Sequence, residues 1–156
     1  MPVLMRALAV HVRGVHDGAM ARVDWRWPGA PPLAAGVAFT AALALSYGTA
    51  VHVVQLVAGG LDPYPNMPAW LSAYFVCLTI ADPVAAVLLW RRSRLGVILG
   101  CAVLVSDALA NGYANYIVVD SEVTMGRIGQ AIITILAVSL CAAARWLPSA
   151  PAEHRR

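Results

Sequence analysis

The sequence predicts an all-α integral membrane protein: an antiparallel four-helix bundle with both termini cytoplasmic. Three observations predict it. The 156-residue chain is 60% hydrophobic and 12% charged, with a mean hydropathy of +0.71, whereas a soluble domain carries about 25% charged residues. Four apolar segments follow one another, each near the ~20 residues that cross a hydrocarbon core. The arginines fall almost entirely in alternate connections between those segments, as the positive-inside pattern requires.

The elements follow in chain order. Residues 1–32 form an N-terminal segment expected to stay in the cytoplasm and to lie on the inner leaflet. Arginines and histidines interrupt its short apolar stretch, so it does not read as a cleavable signal peptide. Gly14 and Gly18 weaken an interfacial helix there, and Met20 is an alternative start. The first span, 33–58, is longer than a ~30 Å core needs at ~1.5 Å per residue unless it tilts. "GGLDPYPNMP" (59–68) supplies a Gly/Pro-rich turn into the second span, 67–90. "RRSR" (91–94) is a tight basic turn into the third, 95–119. The polar, acidic "VDSEVTMGR" (119–127) leads to the fourth, 128–146, and 147–156 is a tail expected to be disordered.

Arginine placement sets the orientation. Arg6, Arg13, Arg22 and Arg26 precede the first span, Arg91, Arg92 and Arg94 follow the second, and Arg145, Arg155 and Arg156 follow the fourth. Only Arg127 falls on the other side, so both termini are placed in the cytoplasm. Asp62, Asp120 and Glu122 then face outside. Trp25, Trp27, Trp90 and Trp146 would mark the inner interface and Tyr64, Trp70 and Tyr116 the outer one. The chain is Ala-rich and has no Lys, a coding bias of GC-rich bacterial genomes, which points to a bacterial plasma membrane.

Several function classes find no support. The formal charge of +3 is accounted for by topology, so no nucleic-acid partner is expected. Cys77, Cys101 and Cys141 stand alone in apolar runs, which disfavours a disulfide framework, a redox site and a zinc site. A single intramembrane histidine does not supply paired axial ligation for haem. No phosphate loop and no Ser, His and acid constellation is visible. Asp17-Gly18-x-x-Ala21-Arg22 resembles the opening of the CDP-alcohol phosphotransferase signature. However, Gly14 stands where that motif needs an acid, and the downstream aspartates are missing. A divalent cation needs several carboxylate oxygens, so neither metal nor other cofactor is expected, and an enzyme is the least favoured class.

The chemistry lies in the polar groups of the spans, since ionisable residues inside a membrane are costly and functional by default. There are three: His52 in the first span, Asp82 in the second and Asp107 in the third. Asp82 lies roughly 12 Å and Asp107 roughly 18 Å from the inner end at the helical rise, so the two carboxylates sit within about one turn in height. Asp107, Asn111 and Asn115 recur at steps of four and share a stripe that drifts by about 40° per step. Thr49, His52 and Gln55 share another, and Gln130 with Thr134 adds polar groups from the fourth span. Pro83 cannot donate to the carbonyl of Thr79, so a kink and a free carbonyl are expected beside Asp82. Two carboxylates this close do not both stay ionised cheaply, so a proton or a cation is expected between them. Asn111 and Asn115 taken alone read as packing glue.

"YPNMPAWLSAYFVC" (64–77), together with Tyr47 followed by His52, resembles the front helices of the EXPERA group, which includes the emopamil-binding sterol isomerases and the sigma-2 receptor. The resemblance implies a four-helix membrane fold and a lipophilic ligand. The group's acidic residues in or just after the first helix have no counterpart before Asp62, so it does not imply isomerase chemistry.

The reading that follows is a bilayer protein with a polar pocket for a small lipophilic or cationic ligand. Asp82 and Asp107 would supply charge, His52, Asn111, Asn115 and Gln130 would orient the ligand, and Trp70 or Tyr74 would form a wall. The alternatives are a small proton-coupled transporter acting as a homo-oligomer, and a non-catalytic accessory subunit in which the polar ladder is glue.

Overall fold

The computed structural model describes residues 27, 29–60, 62–119 and 125–147. The expectations for the N-terminal segment up to Arg26, for Asp120 and Glu122, and for the tail from Pro148 lie outside those residues. The described residues form helices and turns. They comprise α1 (Pro32–Gly59), α2 (Ala69–Trp90), α3 (Arg94–Tyr113) running into a π-helical turn (Ala114–Val118), and α4 (Met125–Ala143) ending in a 3-10 turn (Ala144–Trp146). Four spans, Pro32–Gly59, Ala69–Trp90, Arg94–Val118 and Met125–Trp146, are long and apolar enough to cross a membrane, as a multi-pass membrane protein requires.

The helix boundaries have local causes. Pro32 starts α1 at a position where its missing N–H and fixed φ cost nothing, and Pro68 ends the preceding loop in extended geometry, so α2 begins at Ala69 rather than at Met67. Gly60 closes α1 at φ 60°, returning its N–H to Leu56. Ser93 caps α3: its hydroxyl accepts from the Gly96 amide at 2.9 Å and donates to the Leu88 carbonyl at 3.0 Å. Arg92, at φ 58°, turns the chain between α2 and α3. That turn brings Gly96 onto the Leu88 backbone so closely that an added Cβ would overlap it, and only glycine fits. α2 continues as one α-helix through Pro83.

Contacts between successive helices run in opposite residue order. Phe39 meets Trp90, Gly48 meets Asp82 and His52 meets Phe75. Gly100 packs on Leu89, Tyr74 reaches Ser106, and Trp70 lies against Tyr113. Gly100 also touches Leu140, and Gln130 reaches Ala108. α1 also packs on α4, closing the ring of four helices.

The core combines small residues, most densely on α1, with leucines of the other helices. Ala34, Ala35, Ala38, Ala41, Ala42 and Leu45 line the buried face of α1, against Leu71, Leu78 and Leu89 of α2 and Leu140 of α4. Alanine allows the backbones to approach, which matters where lipid tails compete equally for apolar contact. The outward faces are apolar too: Leu33, Val57, Ile80, Leu109 and Ile135 are all exposed. A helix apolar all round needs either a larger protein or a bilayer around it.

Candidate functional site

The polar residues of the four spans converge toward the end of the bundle that holds the 60–68 connection. There a cavity of about 380 Å³ lies between the helices. His52 and Gln55 of α1, Tyr64 of the connection, Asp82 of α2, and Asp107, Asn111 and Asn115 of α3 with its π-turn all line it. The rest of the wall is apolar, including Leu45, Val51, Phe75, Leu104 and Leu136. Tyr47 and Ile132 line it as well, and both are exposed, at 73% and 54%. The cavity therefore reaches the outer surface of the bundle along the seam between α1 and α4.

Asp82 is the deepest charge-bearing group, at 4% exposure. Its place depends on Gly48 across the helix pair: a Cβ there would lie 2.6 Å from Asp82 Oδ2. Glycine leaves the carboxylate a slot between α1 and α2. His52 is one turn further along α1, with Nε2 3.9 Å from Asp82 Oδ2. Among the described residues no hydrogen-bond donor from the protein reaches the Asp82 carboxylate. Thr79, one turn before Pro83, has a buried hydroxyl without a hydrogen-bond partner.

His52 is oriented from its other side. The Tyr64 hydroxyl donates to Gln55 Oε1 at 2.9 Å, so its oxygen is free to accept from His52 Nδ1, also at 2.9 Å. With Nδ1 carrying the proton, the neutral ring presents the Nε2 lone pair toward Asp82. Phe75 braces this arrangement, stacking on the His52 ring at 6.0 Å and tilting against Tyr64 at 5.2 Å. Burial pushes the Tyr64 phenol up from its ordinary value, and the negative charge of Asp107 adds to the shift. It therefore remains an O–H donor throughout the physiological range.

The α3 ladder is wired differently. Asn111 Nδ2 donates to Asp107 Oδ1 at 2.7 Å and to its backbone carbonyl at 3.1 Å, and Asn115 Nδ2 donates to the Asn111 carbonyl at 2.8 Å. Both amides donate within their own helix. The first steadies Asp107, and the second bonds a carbonyl just ahead of the π-turn, where the Val119 amide reaches back to the Ala114 carbonyl.

The remaining residues named from sequence stand elsewhere. Gln130 does not line the cavity. Its Nε2 donates to the Ala108 carbonyl at 3.3 Å and to Thr134 Oγ1 at 2.9 Å, pinning α4 to α3. The Tyr74 hydroxyl donates to Ser106 Oγ at 2.8 Å, another interhelical pin. Trp70 is 57% exposed and lies against Tyr113 at 5.3 Å on the bundle exterior. Tyr64, read as an outer-interface residue, instead turns inward and is 8% exposed. Sequence reasoning did not select Tyr64 or Gly48; the Gly/Pro-rich connection was the available signal for the first. Among the described residues no cluster of three His, Cys, Asp or Glu side chains forms that could hold a metal ion. The three cysteines are unbridged. No family model, curated protein or solved structure matches this chain.

Proposed function

We propose that the chain is an antiparallel bundle in a bacterial plasma membrane, with both termini cytoplasmic, and that its cavity binds a small lipophilic cation. One observation carries the reading. Asp82 and Asp107 line one cavity with otherwise mostly apolar walls, and among the described residues no hydrogen-bond donor reaches the Asp82 carboxylate. A buried carboxylate without a donor is compensated by a cation or a proton. Apolar walls and an opening at the α1–α4 seam suit a ligand that arrives through the bilayer. The resemblance of 64–77 to the EXPERA group points to a lipophilic ligand. The accessory-subunit reading accounts for Gln130, Asn111 and Asn115, whose donors are engaged within the bundle, but not for Asp82.

The test is binding of benzyltrimethylammonium against its neutral carbon isostere, by calorimetry on the full chain in detergent micelles. The cation should bind and the isostere should not. Equal affinity for the two would remove the carboxylates from recognition. Asp107→Asn should weaken the cation while the protein stays monodisperse and helical.

A further inference from the structure

We infer that the cavity is a proton–cation exchange site, in which an arriving lipophilic cation displaces one proton held among Asp82, Asp107 and His52. This rests on the cation-binding reading and adds to it what occupies the charge when no cation is present.

The inference follows from the groups that face Asp82 from every element packed around the cavity. α1 contributes His52 and, at the rim, Tyr47. The connection contributes Tyr64 and α3 Asp107, while Tyr74 of α2 lies outside the lining with its hydroxyl engaged by Ser106. α4 presents Gly126, Gly129, Ile132, Ile133 and Leu136, none of them titratable. Its Arg127 lies over the Tyr116 ring at 4.7 Å. Among the described residues no arginine lines the cavity, so two carboxylates share a mostly apolar-walled space without a fixed positive charge from those residues. Asn111 gives Asp107 a neutral hydrogen bond, so among the described residues the compensating positive charge for the pair comes from protons.

The geometry also supplies an acceptor for that proton. Tyr64 and Gln55 hold His52 with Nδ1 protonated and the Nε2 lone pair toward Asp82 Oδ2, 3.9 Å away. When a quaternary ammonium enters, the carboxylic O–H bond breaks, its electron pair stays on the carboxylate oxygen, and His52 Nε2 accepts the proton. The imidazolium then releases a proton to water, restoring the neutral ring. One positive charge enters and one leaves, so the charge of the cavity is unchanged. Nothing is oxidised or reduced. His52 is a positioning and proton-holding residue here, and Gly48 keeps the carboxylate within its reach.

The experiment uses benzyltrimethylammonium, whose own charge does not change with pH, so any pH dependence belongs to the protein. Calorimetry on the full chain in micelles, in two buffers of different ionisation enthalpy between pH 5 and 8, counts protons released per cation bound. The expected result is about one proton released at the lower end. Affinity should rise about tenfold per pH unit until the site is deprotonated and then level off. Asp82→Asn should abolish the release. Should that variant fail to fold, Asp107→Asn tests the same point, since removing either carboxylate leaves the remaining one able to ionise alone. Cation binding without proton release at every pH, or release undiminished in the folded aspartate variants, overturns the exchange and leaves the cation-binding reading standing. Absence of any cation binding overturns that reading, and the exchange with it.

Discussion

Two glycines mark two halves of the bundle. Near the Arg91–Ser93 turn, Gly96 presses onto the Leu88 backbone, and one turn on Gly100 packs on Leu89 and Leu140. At mid-bundle Gly48 faces not a backbone but the end of a side chain, the Asp82 carboxylate. The half near the turn is close-packed helix on helix, with Leu89 and Leu140 almost fully buried. The other half opens into a cavity of about 380 Å³ with a carboxylate at its floor. The same residue type that brings backbones together in one half leaves room for a charge in the other. A small residue in a membrane helix thus has two meanings, separated by what stands opposite it.

Substitutions that exchange these meanings test the comparison. The largest effect is expected from Gly96→Ala. Its methyl would overlap backbone atoms that cannot rotate away, so α2 and α3 must separate, costing about 3 kcal/mol or more. Thermal unfolding in micelles reads this, and an unchanged midpoint would show that the turn region is not tightly packed. Next is Asp82→Asn, which should weaken benzyltrimethylammonium by about 2 kcal/mol, roughly thirtyfold, the size of a charge-assisted contact. Gly48→Ala should behave differently from Gly96→Ala. Its methyl meets a side chain that can swing aside, so stability should fall by less than about 1 kcal/mol while cation affinity falls with the displaced carboxylate. A stability loss as large as that of Gly96→Ala would erase the distinction between the halves.

Tyr64→Phe is expected to cost about 1 kcal/mol, since both His52 Nδ1 and Gln55 Oε1 lose a partner. The wild type adds a pH signature. A phenol raised on folding favours its neutral form, so its contribution is complete below the unfolded value of about 10 and is lost as pH rises through the folded value. Alkaline unfolding above pH ~10 should therefore separate wild type from Tyr64→Phe less and less. The smallest effect is Gln130→Leu, which removes one interhelical pin outside the cavity. About 0.6 kcal/mol of stability and no change in cation affinity are expected.

The four spans were legible because apolar length and proline placement act locally. Pro32 and Pro68 start helices by their own covalent geometry, and the observed span limits differ from the read ones by at most three residues. Relative height was read too: counting at the helical rise puts Asp82 and Asp107 within about one turn of each other, Asn111 and Asn115 above Asp107, and His52 in the same half, and these five line one cavity. Azimuth was not. Gln130, Tyr74 and Trp70 have the right height or chemistry, but they face a neighbouring helix or the exterior, which depends on packing between helices. The inward turn of Tyr64 was hidden for another reason. It lies in a connection where Asn66 takes φ 70° and Gly60 takes φ 60°, and no periodicity carries through such backbone. Gly48 was hidden because a glycine does not announce what faces it.

The seam between α1 and α4 has a consequence for any affinity measured on this protein. In the proposed bilayer placement, the exposed Tyr47 and Ile132 would put the mouth of the cavity against acyl chains rather than against water. A ligand reaching it from the bilayer is already concentrated there by its own partitioning, at about 0.8 kcal/mol for each methylene buried. Adding methylenes to a quaternary ammonium would then raise its apparent potency without one new contact in the cavity. Potency expressed per mole of ligand in the lipid, not in the buffer, would stay level along such a series until the chain outgrows the space beneath the seam.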